Sequence, residues 1–397
     1  MDVYEKAIKL VEEHVGKLAV TSKVQVNDME GLSVAYTPGV ARPTQLIHKN
    51  KELAYKYTSK GNLVAVLTDG TAVLGLGDVG PEAALVVMEG KAIMMKAYGD
   101  IDAFPICLNT TDTDEIVKTM KYLEPTFGGV NLEDISAPRC FEVERRLTEE
   151  LDIPVFHDDQ HGTAIVAVAA LLNALKIVGK KKEEVNVVIN GAGAAGIATA
   201  NLLQDFNIKD IVVCDTKGAI FKGRGEGMNV YKEELSERTN LNQCKTLKEA
   251  LRNADVFIGV SEAGALSGST ISTMKDDPII LALANPDPEI MPEEAKRCGA
   301  AIVGTGRMDY PNQVNNLLAF PGVLRGALDS RAKCINKQMK IAAVMAISGM
   351  VKAEELNVDY ILPNPLDKNI AICVANAVYK AAHASGVARK FTKERYI

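Results

Sequence analysis

Short apolar runs alternate along the chain with longer segments in which apolar residues recur at helical spacing. The runs are rich in valine, isoleucine and leucine and are bounded by turn residues, which is typical of buried strands. They are 63–67, 129–132, 153–156, 185–190, 211–214, 255–261, 279–283 and 301–304. Predicted helices lie at 1–17, 163–178, 338–351 and 369–384. The alternation predicts an α/β protein built on open sheets.

The clearest strand-to-helix junction is a Gly-x-Gly-x-x-Gly turn that follows the run 185–190 and leads into an Ala/Leu-rich helix pattern. Gly191 permits a tight turn, Gly193 lets a pyrophosphate approach the backbone, and Gly196 lets the helix lie close to its strand. A second run then ends at Asp215, 19 residues past Gly196, where a carboxylate would hydrogen-bond an adenosine ribose. This order predicts a doubly wound, Rossmann-like dinucleotide-binding domain. The turn residues of that site are Asn190, Gly191, Ala192, Gly193, Ala194, Ala195 and Gly196.

A second Gly-x-Gly-x-x-Gly motif at 75–80 is not interpreted as a dinucleotide site. Asp78 would put a carboxylate inside the phosphate cradle, and no following strand ends in an acid at the right distance. The motif is explained as a tight connection into a helix that Pro81 opens.

Lys91 lies in the middle of the apolar stripe of that helix, where the pattern calls for an apolar side chain. An apolar setting would lower the pKa of the lysine and make it a candidate base. The alternative is a lysine whose ammonium group reaches water.

Two predicted strands end in pairs of acids, Glu133-Asp134 and Asp158-Asp159. Ligands of open α/β sheets gather at the carboxyl ends of strands, and so many carboxylates would repel one another without a cation between them. Oxygen ligands favour Mg²⁺ or Mn²⁺. Helix capping is the alternative, but it explains one acid at each place and not the pairs.

A zinc site is the rival, because His157 and His161 have i, i+4 spacing. The glutamate of a His-Glu-x-x-His motif is replaced by Asp158, and Gly162 follows at once, so zinc is disfavoured.

Three further polar residues stand at turns. Tyr36 precedes a Thr-Pro-Gly turn, where it is either a phenol at the edge of a site or a packed tyrosine. Asn285 and Asn315 follow strands of the cofactor sheet, where their amides either contact a substrate or form turns.

Composition narrows the class of protein. A net charge of -6 gives no general attraction to nucleic acid or to anionic membranes. Seven cysteines without a Cys-x-x-Cys pair indicate reduced thiols. The run 163–178 is too short and polar to span a bilayer, and no signal-peptide pattern is seen. We therefore expect a soluble, cytoplasmic protein, and 397 residues allow two domains.

Together the motifs resemble those of the malic enzymes in their short microbial form. The matching segments are 36–41, 68–70, 74–77, 89–91, 131–134, 156–163, the glycine turn at 191–196, 285–286, 313–316 and 320–322. They occur in the order of the family and cover about 33–323. The resemblance implies a malic-type α/β domain at 1–160, a dinucleotide-binding domain at 161–397 and a homodimer.

The resemblance also implies roles for individual residues. Tyr36 would be the general acid and Lys91 the general base, with Asp158 as the acid beside the base. The metal ligands would be Glu133, Asp134 and Asp159. Asn285 and Asn315 would contact the substrate, and Thr163, Ser261 and Asn285 would join the cofactor-binding residues. The implied reaction is oxidative decarboxylation of malate to pyruvate with NAD or NADP and Mg²⁺ or Mn²⁺, with oxaloacetate also accepted. Asp215 favours NAD, although Lys217, Lys222 and Arg224 could offset a 2′-phosphate.

One departure concerns substrate binding. Larger family members carry an arginine after Thr-Asp-Gly that holds the substrate carboxylate, but here Thr71-Ala72-Val73 supplies none. Two rival functions also remain: a metal-dependent oxaloacetate decarboxylase with little redox activity, and a nucleotide-sensing regulator. Pyruvate release without malate-dependent NAD(P)H formation would identify the first, and NAD binding without any malate turnover the second.

Overall fold

The computed structural model describes residues 2–73 and 75–389, and within them the chain forms two sheets flanked by helices. The strands are β1 (Leu63–Thr68), β2 (Asp102–Cys107), β3 (Gly129–Leu132), β4 (Val155–His157), β5 (Asn186–Asn190), β6 (Asp210–Asp215), β7 (Gly218–Ala219), β8 (Val256–Gly259), β9 (Ile279–Ala282) and β10 (Ile302–Thr305). The helices are α1 (Val3–His14), α2 (Met29–Ala35), α3 (Ala41–Lys49), α4 (Ala54–Tyr57), α5 (Gly80–Gly99), α6 (Thr113–Leu123), α7 (Arg139–Glu150), α8 (Thr163–Ile177), α9 (Ala194–Asp205), α10 (Val230–Ser236), α11 (Leu247–Leu251), α12 (Gly268–Ile271), α13 (Pro292–Arg297), α14 (Phe320–Asp329), α15 (Lys337–Gly349) and α16 (Asn369–Ala384).

The first sheet is parallel and has the strand order β2-β1-β3-β4. The predicted strands β1, β3 and β4 are confirmed to within a few residues. Strand β2 was not predicted, because it is an edge strand that is only partly buried and carries Pro105. A proline is tolerated there since one side of an edge strand needs no ladder hydrogen bond.

The second sheet has the order β10-β9-β8-β5-β6-β7 and is parallel except for the short edge strand β7. The chain runs outward from β5 through β6, then returns to the other side of β5 at β8. This reversal is the switch point of a doubly wound sheet, and it lies beside the glycine turn that follows β5. The predicted Rossmann-like domain is confirmed.

Helix α8 joins the two halves of the molecule and is buried almost throughout. One hydrophobic core contains α8 together with Val64 and Val66 of β1 and Val187 and Ile189 of β5. The span Asp158–Ile177 is long and apolar enough to cross a membrane by composition alone, but it is mostly buried here, as predicted for a core helix. Helices α14 and α16 pack against each other and against α5, so the C-terminal helices also support the first sheet.

Candidate active site

Adjacent strands bring the predicted acids together with Lys91. Leu132 of β3 pairs with His157 of β4, so the residues after both strands emerge at the same edge of the sheet. Helix α5 runs beside this edge and delivers Lys91, whose Nζ lies 2.6 Å from Asp158 Oδ2 and 2.9 Å from Glu133 Oε1. The lysine is therefore held between two carboxylates.

A π-helical turn at Asp158–Gly162 sets the position of Asp158. A Cβ atom at Gly162 would lie 1.8 Å from Asp158 Oδ1, so the turn requires glycine there. Asn316 Nδ2 donates to Asp158 Oδ2 at 2.6 Å, and the Lys91 ammonium lies 4.4 Å from the centre of the Phe320 ring. Asn316 and Phe320 were not predicted as site residues, although both lie in segments that carry the family resemblance.

The expected low pKa of Lys91 is not found in this structure. Burial does act against the ammonium charge, but the carboxylates of Asp158 and Glu133 outweigh it, so the pKa of Lys91 is raised. The sequence pattern revealed the apolar stripe but not the two acids across the cleft. Burial likewise raises the pKa of Asp158 to about 7, in spite of the opposing charge of Lys91.

Glu133, Asp134 and Asp159 form a compact group of oxygen ligands. One ligand atom from each lies within 4.8 Å of the others, and among the described residues this is the one such group of acids, histidines or cysteines. Asp134 Oδ2 is buried without a hydrogen-bond partner among the described atoms. Burial, and then the charges of Asp159 and Glu133, raise the pKa of Asp134. A hard divalent cation such as Mg²⁺ or Mn²⁺ would satisfy these oxygens, so the residues fit a metal site.

Neither histidine belongs to this group of ligands, which removes the support for zinc, although His157 Nδ1 lies 4.0 Å from Asp159 Oδ2. His161 Nε2 lies 2.6 Å from Glu144 Oε1 and 3.0 Å from Lys340 Nζ. His157 is fully buried and accepts a long hydrogen bond from the Gln160 N–H, at 3.4 Å. Burial lowers the pKa of His157 to about 4.

The glycine turn after β5 has the geometry of a phosphate cradle. Gly191 has a φ of 119°, and a Cβ there would lie 2.3 Å from Val260 O. A Cβ at Gly196 would lie 1.7 Å from Gly191 O, whereas one at Gly193 would meet nothing within 4 Å. The turn is therefore closed on its protein side and open toward the cleft, as a pyrophosphate requires.

One cavity of about 650 Å³ connects Lys91 with the glycine turn. Its lining includes the predicted residues Lys91, Glu133, Asp159, Thr163, Gly193, Ala194, Ala195, Ser261, Asn285 and Asn315. Asn190 does not line it but holds Ser261, since Asn190 Nδ2 donates to Ser261 Oγ at 2.9 Å. The predicted base, two of the three predicted metal ligands and part of the glycine turn thus share one space.

Two predicted residues are placed differently from expectation. Tyr36 is 68 % exposed and is not among the described residues that line the cavity. Asp215 stands at the end of β6 as expected, but its carboxylate is paired with Arg224 and Lys232 and is not free for a ribose.

Among the described residues that line the cavity, Lys91 is the one cation. Arg139 lies near Thr71 but is hydrogen-bonded to Asp69, Thr71 and Ser136.

Comparison with known proteins agrees with this geometry. The sequence profile of the malic enzyme N-terminal domain matches residues 15–148, and that of the malic enzyme NAD-binding domain matches residues 160–383.

Relatives cover nearly the whole chain. A bifunctional malic/malolactic enzyme of Bacillus subtilis is 59% identical over 98% of this chain and 95% of its own. An NADP-dependent malic enzyme of Haemophilus influenzae is 50% identical over 94% of this chain, which spans 52% of that longer protein. The crystal structure of an NAD-dependent malic enzyme from Thermotoga maritima superposes with a TM-score of 0.91 at 48% identity, over 96% of this chain and 99% of that one.

Proposed function

The chain belongs to the malic enzyme family, and we propose that it oxidises and decarboxylates (S)-malate to pyruvate and CO₂ with NAD or NADP and a divalent metal ion. The observation that carries this proposal is the shared cavity, which joins a buried lysine, two members of the three-acid group and an open glycine turn. Each part serves one step of the reaction. The lysine serves proton removal, the acids serve charge withdrawal through a bound cation, and the glycine turn serves hydride acceptance by holding the cofactor.

Lys91 is the residue that takes the proton from the C2 hydroxyl of malate. Its Nζ contacts both Asp158 and Glu133, and Glu133 also belongs to the acid group. When Glu133 is committed to a cation, Lys91 keeps only Asp158 as a charged partner, so the pKa of the lysine falls toward the range of a base. Asn316 holds Asp158 in place through the same oxygen that accepts from Lys91.

Glu133, Asp134 and Asp159 hold Mg²⁺ or Mn²⁺ in this proposal, which their oxygen ligands and the unpartnered Asp134 Oδ2 support. When bound, the cation would supply Lewis-acid chemistry at the substrate oxygens, and a nicotinamide cofactor held by the glycine turn would take up the hydride. Asn285 and Asn315 lie in the same cavity, where their amides can orient a carboxylate without adding charge.

Tyr36 donates the proton to C3 after CO₂ has left, and we infer that it does so in the site of a second copy of the chain. Helices α1, α2 and α3 bury none of their residues within the described chain, and we call their outer surface the N-terminal face. Large apolar residues exposed on or beside this face include Val3, Ile8, Val20, Met29, Val34 and Tyr36. A homodimer that covers the face would bury these side chains and move Tyr36 out of solvent.

Mixed dimers test this arrangement. Tyr36→Phe and Lys91→Ala proteins are each expected to lose most of their malate turnover. Unfolding and refolding them together would create dimers in which one site has both native residues. Recovery of about a quarter of the unaltered activity is expected from equal mixing of two-site dimers. No recovery, although mixed dimers have formed, would mean that both residues act within one chain.

The seven cysteines are all free, and this supports the further proposal of a reducing, cytoplasmic compartment.

Product analysis tests the reaction itself. With uniformly ¹³C-labelled malate, Mn²⁺ and NAD(P), we expect labelled pyruvate and CO₂ in equal amounts, and neither product with Lys91→Ala. Labelled lactate or oxaloacetate as the main product would contradict the proposal.

A further inference from the structure

One buried carboxylate, that of Glu289, joins the loops that follow two neighbouring strands of the second sheet. Strands β8 and β9 pair in register, so the segments that follow them leave the sheet at the same edge. Ser261 lies in the loop after β8 and Ala284 in the loop after β9, and both residues line the cavity. Glu289 lies further along the second loop, is fully buried and is not among the described lining residues. It therefore supports the cavity wall from within the protein.

Both oxygens of this carboxylate accept hydrogen bonds from the cavity wall. Oε1 accepts from the Ser261 N–H at 2.8 Å and from the Ser261 hydroxyl at 3.1 Å. Oε2 accepts from the Ala284 N–H at 3.1 Å. The Ser261 hydroxyl in turn accepts from Asn190 Nδ2 at 2.9 Å, so the chain of hydrogen bonds reaches the last residue of β5. One side chain thus connects the ends of three strands.

The chemistry of a carboxylate fits this role. Three donors converge on two oxygens, and an amide or a protonated acid would place a donor of its own where one of these oxygens must accept. Burial raises the pKa of the Glu289 carboxyl, and hydrogen bonds from the Ser261 and Ala284 N–H groups act in the opposite direction. Removing one acceptor would leave a buried N–H group without a partner.

Strand β8 makes room for the carboxylate at Gly259. A Cβ atom there would lie 2.3 Å from Glu289 Cδ and 2.5 Å from each of the two carboxylate oxygens. The three nearest atoms to such a Cβ all belong to Glu289. The missing side chain at Gly259 therefore serves the position of the glutamate.

The two loops border the half of the cofactor site that receives the nicotinamide. In a doubly wound sheet the pyrophosphate lies at the glycine turn after the first strand, here β5, and the adenosine ribose lies at the end of the next strand, here β6. A dinucleotide crosses the switch point, so its second half extends over β8 and β9. The same loops share the cavity with Lys91, which faces the C2 hydroxyl in the proposed reaction.

We propose that Glu289 is a positioning residue for the nicotinamide end of the cofactor, which acts by fixing Ser261 and Ala284 where they receive the nicotinamide and its ribose. It does not touch the cofactor and does not serve the adenosine half. The inference rests on the proposed function only for the use of a nicotinamide dinucleotide.

The test compares NADH with ADP, which has the adenosine and both phosphates but neither the nicotinamide nor its ribose. Calorimetric titration of the full chain gives the affinity for each ligand, and circular dichroism shows that each variant is folded. Glu289→Gln keeps the volume of the side chain but removes the acceptor of one N–H group. It should weaken NADH binding about tenfold, which is the worth of one hydrogen bond to a charged group, and change ADP binding less than about twofold.

Gly259→Ala provides a second route to the same perturbation. The added Cβ displaces the carboxylate while Glu289 and the lining residues stay unaltered, so the same selective loss of NADH affinity is expected. Glu294→Gln is the matched control, because it removes the same charge from an exposed glutamate on α13 and should leave both affinities unchanged.

Two results would overturn the inference: unchanged NADH affinity, or an equal loss of NADH and ADP affinity. Each is judged in Glu289→Gln or, where that variant does not fold, in Gly259→Ala. The unaltered protein separates this failure from a failure of the proposed function. If it binds neither ligand, the cofactor site and the proposed function are wrong together. If the loss is selective but malate is not oxidised, the inference stands and the proposed function alone is wrong.

Discussion

Replacing Lys91 by methionine should destabilise the metal-free protein strongly, because the ammonium neutralises two buried carboxylates. Methionine keeps the volume of the lysine stem, so the change removes charge without opening a large cavity. The side chains of Lys91, Glu133 and Asp158 are 11%, 5% and 0% exposed, so water cannot replace the lost partner.

The free energy of unfolding should fall by about 3 kcal/mol at pH 8. This is the lower end of the roughly 3–5 kcal/mol that breaking a buried ion pair costs, because a carboxyl group left without its partner can take up a proton. For a domain of this size the loss corresponds to a fall in Tm of roughly 6–12 °C. Lys96→Met is the matched control on the same helix. Lys96 is 54% exposed and pairs with Asp100 and Asp102 near the surface, so its loss should cost about 1 kcal/mol or less.

Thermal unfolding followed by circular dichroism, with EDTA or with Mn²⁺, measures the effect. Mn²⁺ should raise the Tm of Lys91→Met more than that of the unaltered protein, since the cation supplies positive charge to Glu133. Equal falls in Tm for Lys91→Met and Lys96→Met, or the same Mn²⁺ response in all three proteins, would refute this view of the cluster.

Four further substitutions separate the parts of the site. Asp159→Asn should weaken Mn²⁺ binding at least about tenfold in calorimetry, while NADH should still bind. If the Mn²⁺ dependence of turnover were unchanged in this variant, Asp159 would not be a metal ligand. Gly196→Ala forces a Cβ toward Gly191 O, so it should destabilise the protein by about 1–3 kcal/mol. It should also weaken NADH binding but leave Mn²⁺ affinity unchanged. Unchanged NADH binding would contradict the role of Gly196 in the tight turn. Lys91→Ala should lower malate oxidation by about two to four powers of ten, and Tyr36→Phe should still reduce oxaloacetate with NADH. The reverse pattern in stopped-flow assays would mean that the two roles are exchanged.

The glycine turn and the acid pairs could be predicted from sequence because each is local. A strand, its turn and the following helix are contiguous, so the roles of Gly191, Gly193 and Gly196 follow from spacing alone. The acids after β3 and β4 needed only the rule that parallel strands end at the same edge. Both expectations agree with the geometry found.

The charges around Lys91 and Asp215 could not be predicted, since they depend on partners that are distant in sequence. Asp158 lies 67 residues from Lys91, and its carboxylate reverses the direction of the pKa shift expected from the apolar stripe. Lys232 lies 17 residues beyond Asp215, past a glycine-rich loop whose path no periodicity specifies. The exposure of Tyr36 was also unexpected, because the pattern around a turn does not tell which surface the turn faces.

The central claim is that the cavity oxidises malate with a nicotinamide cofactor and a divalent metal. The direct measurement is absorbance at 340 nm with malate, using NAD and NADP in parallel, each with and without Mn²⁺. We predict malate-dependent reduction of both cofactors that requires Mn²⁺ and is lost in Lys91→Ala. Absence of malate-dependent reduction with either cofactor, in a protein that binds NADH and Mn²⁺, would contradict the proposed function.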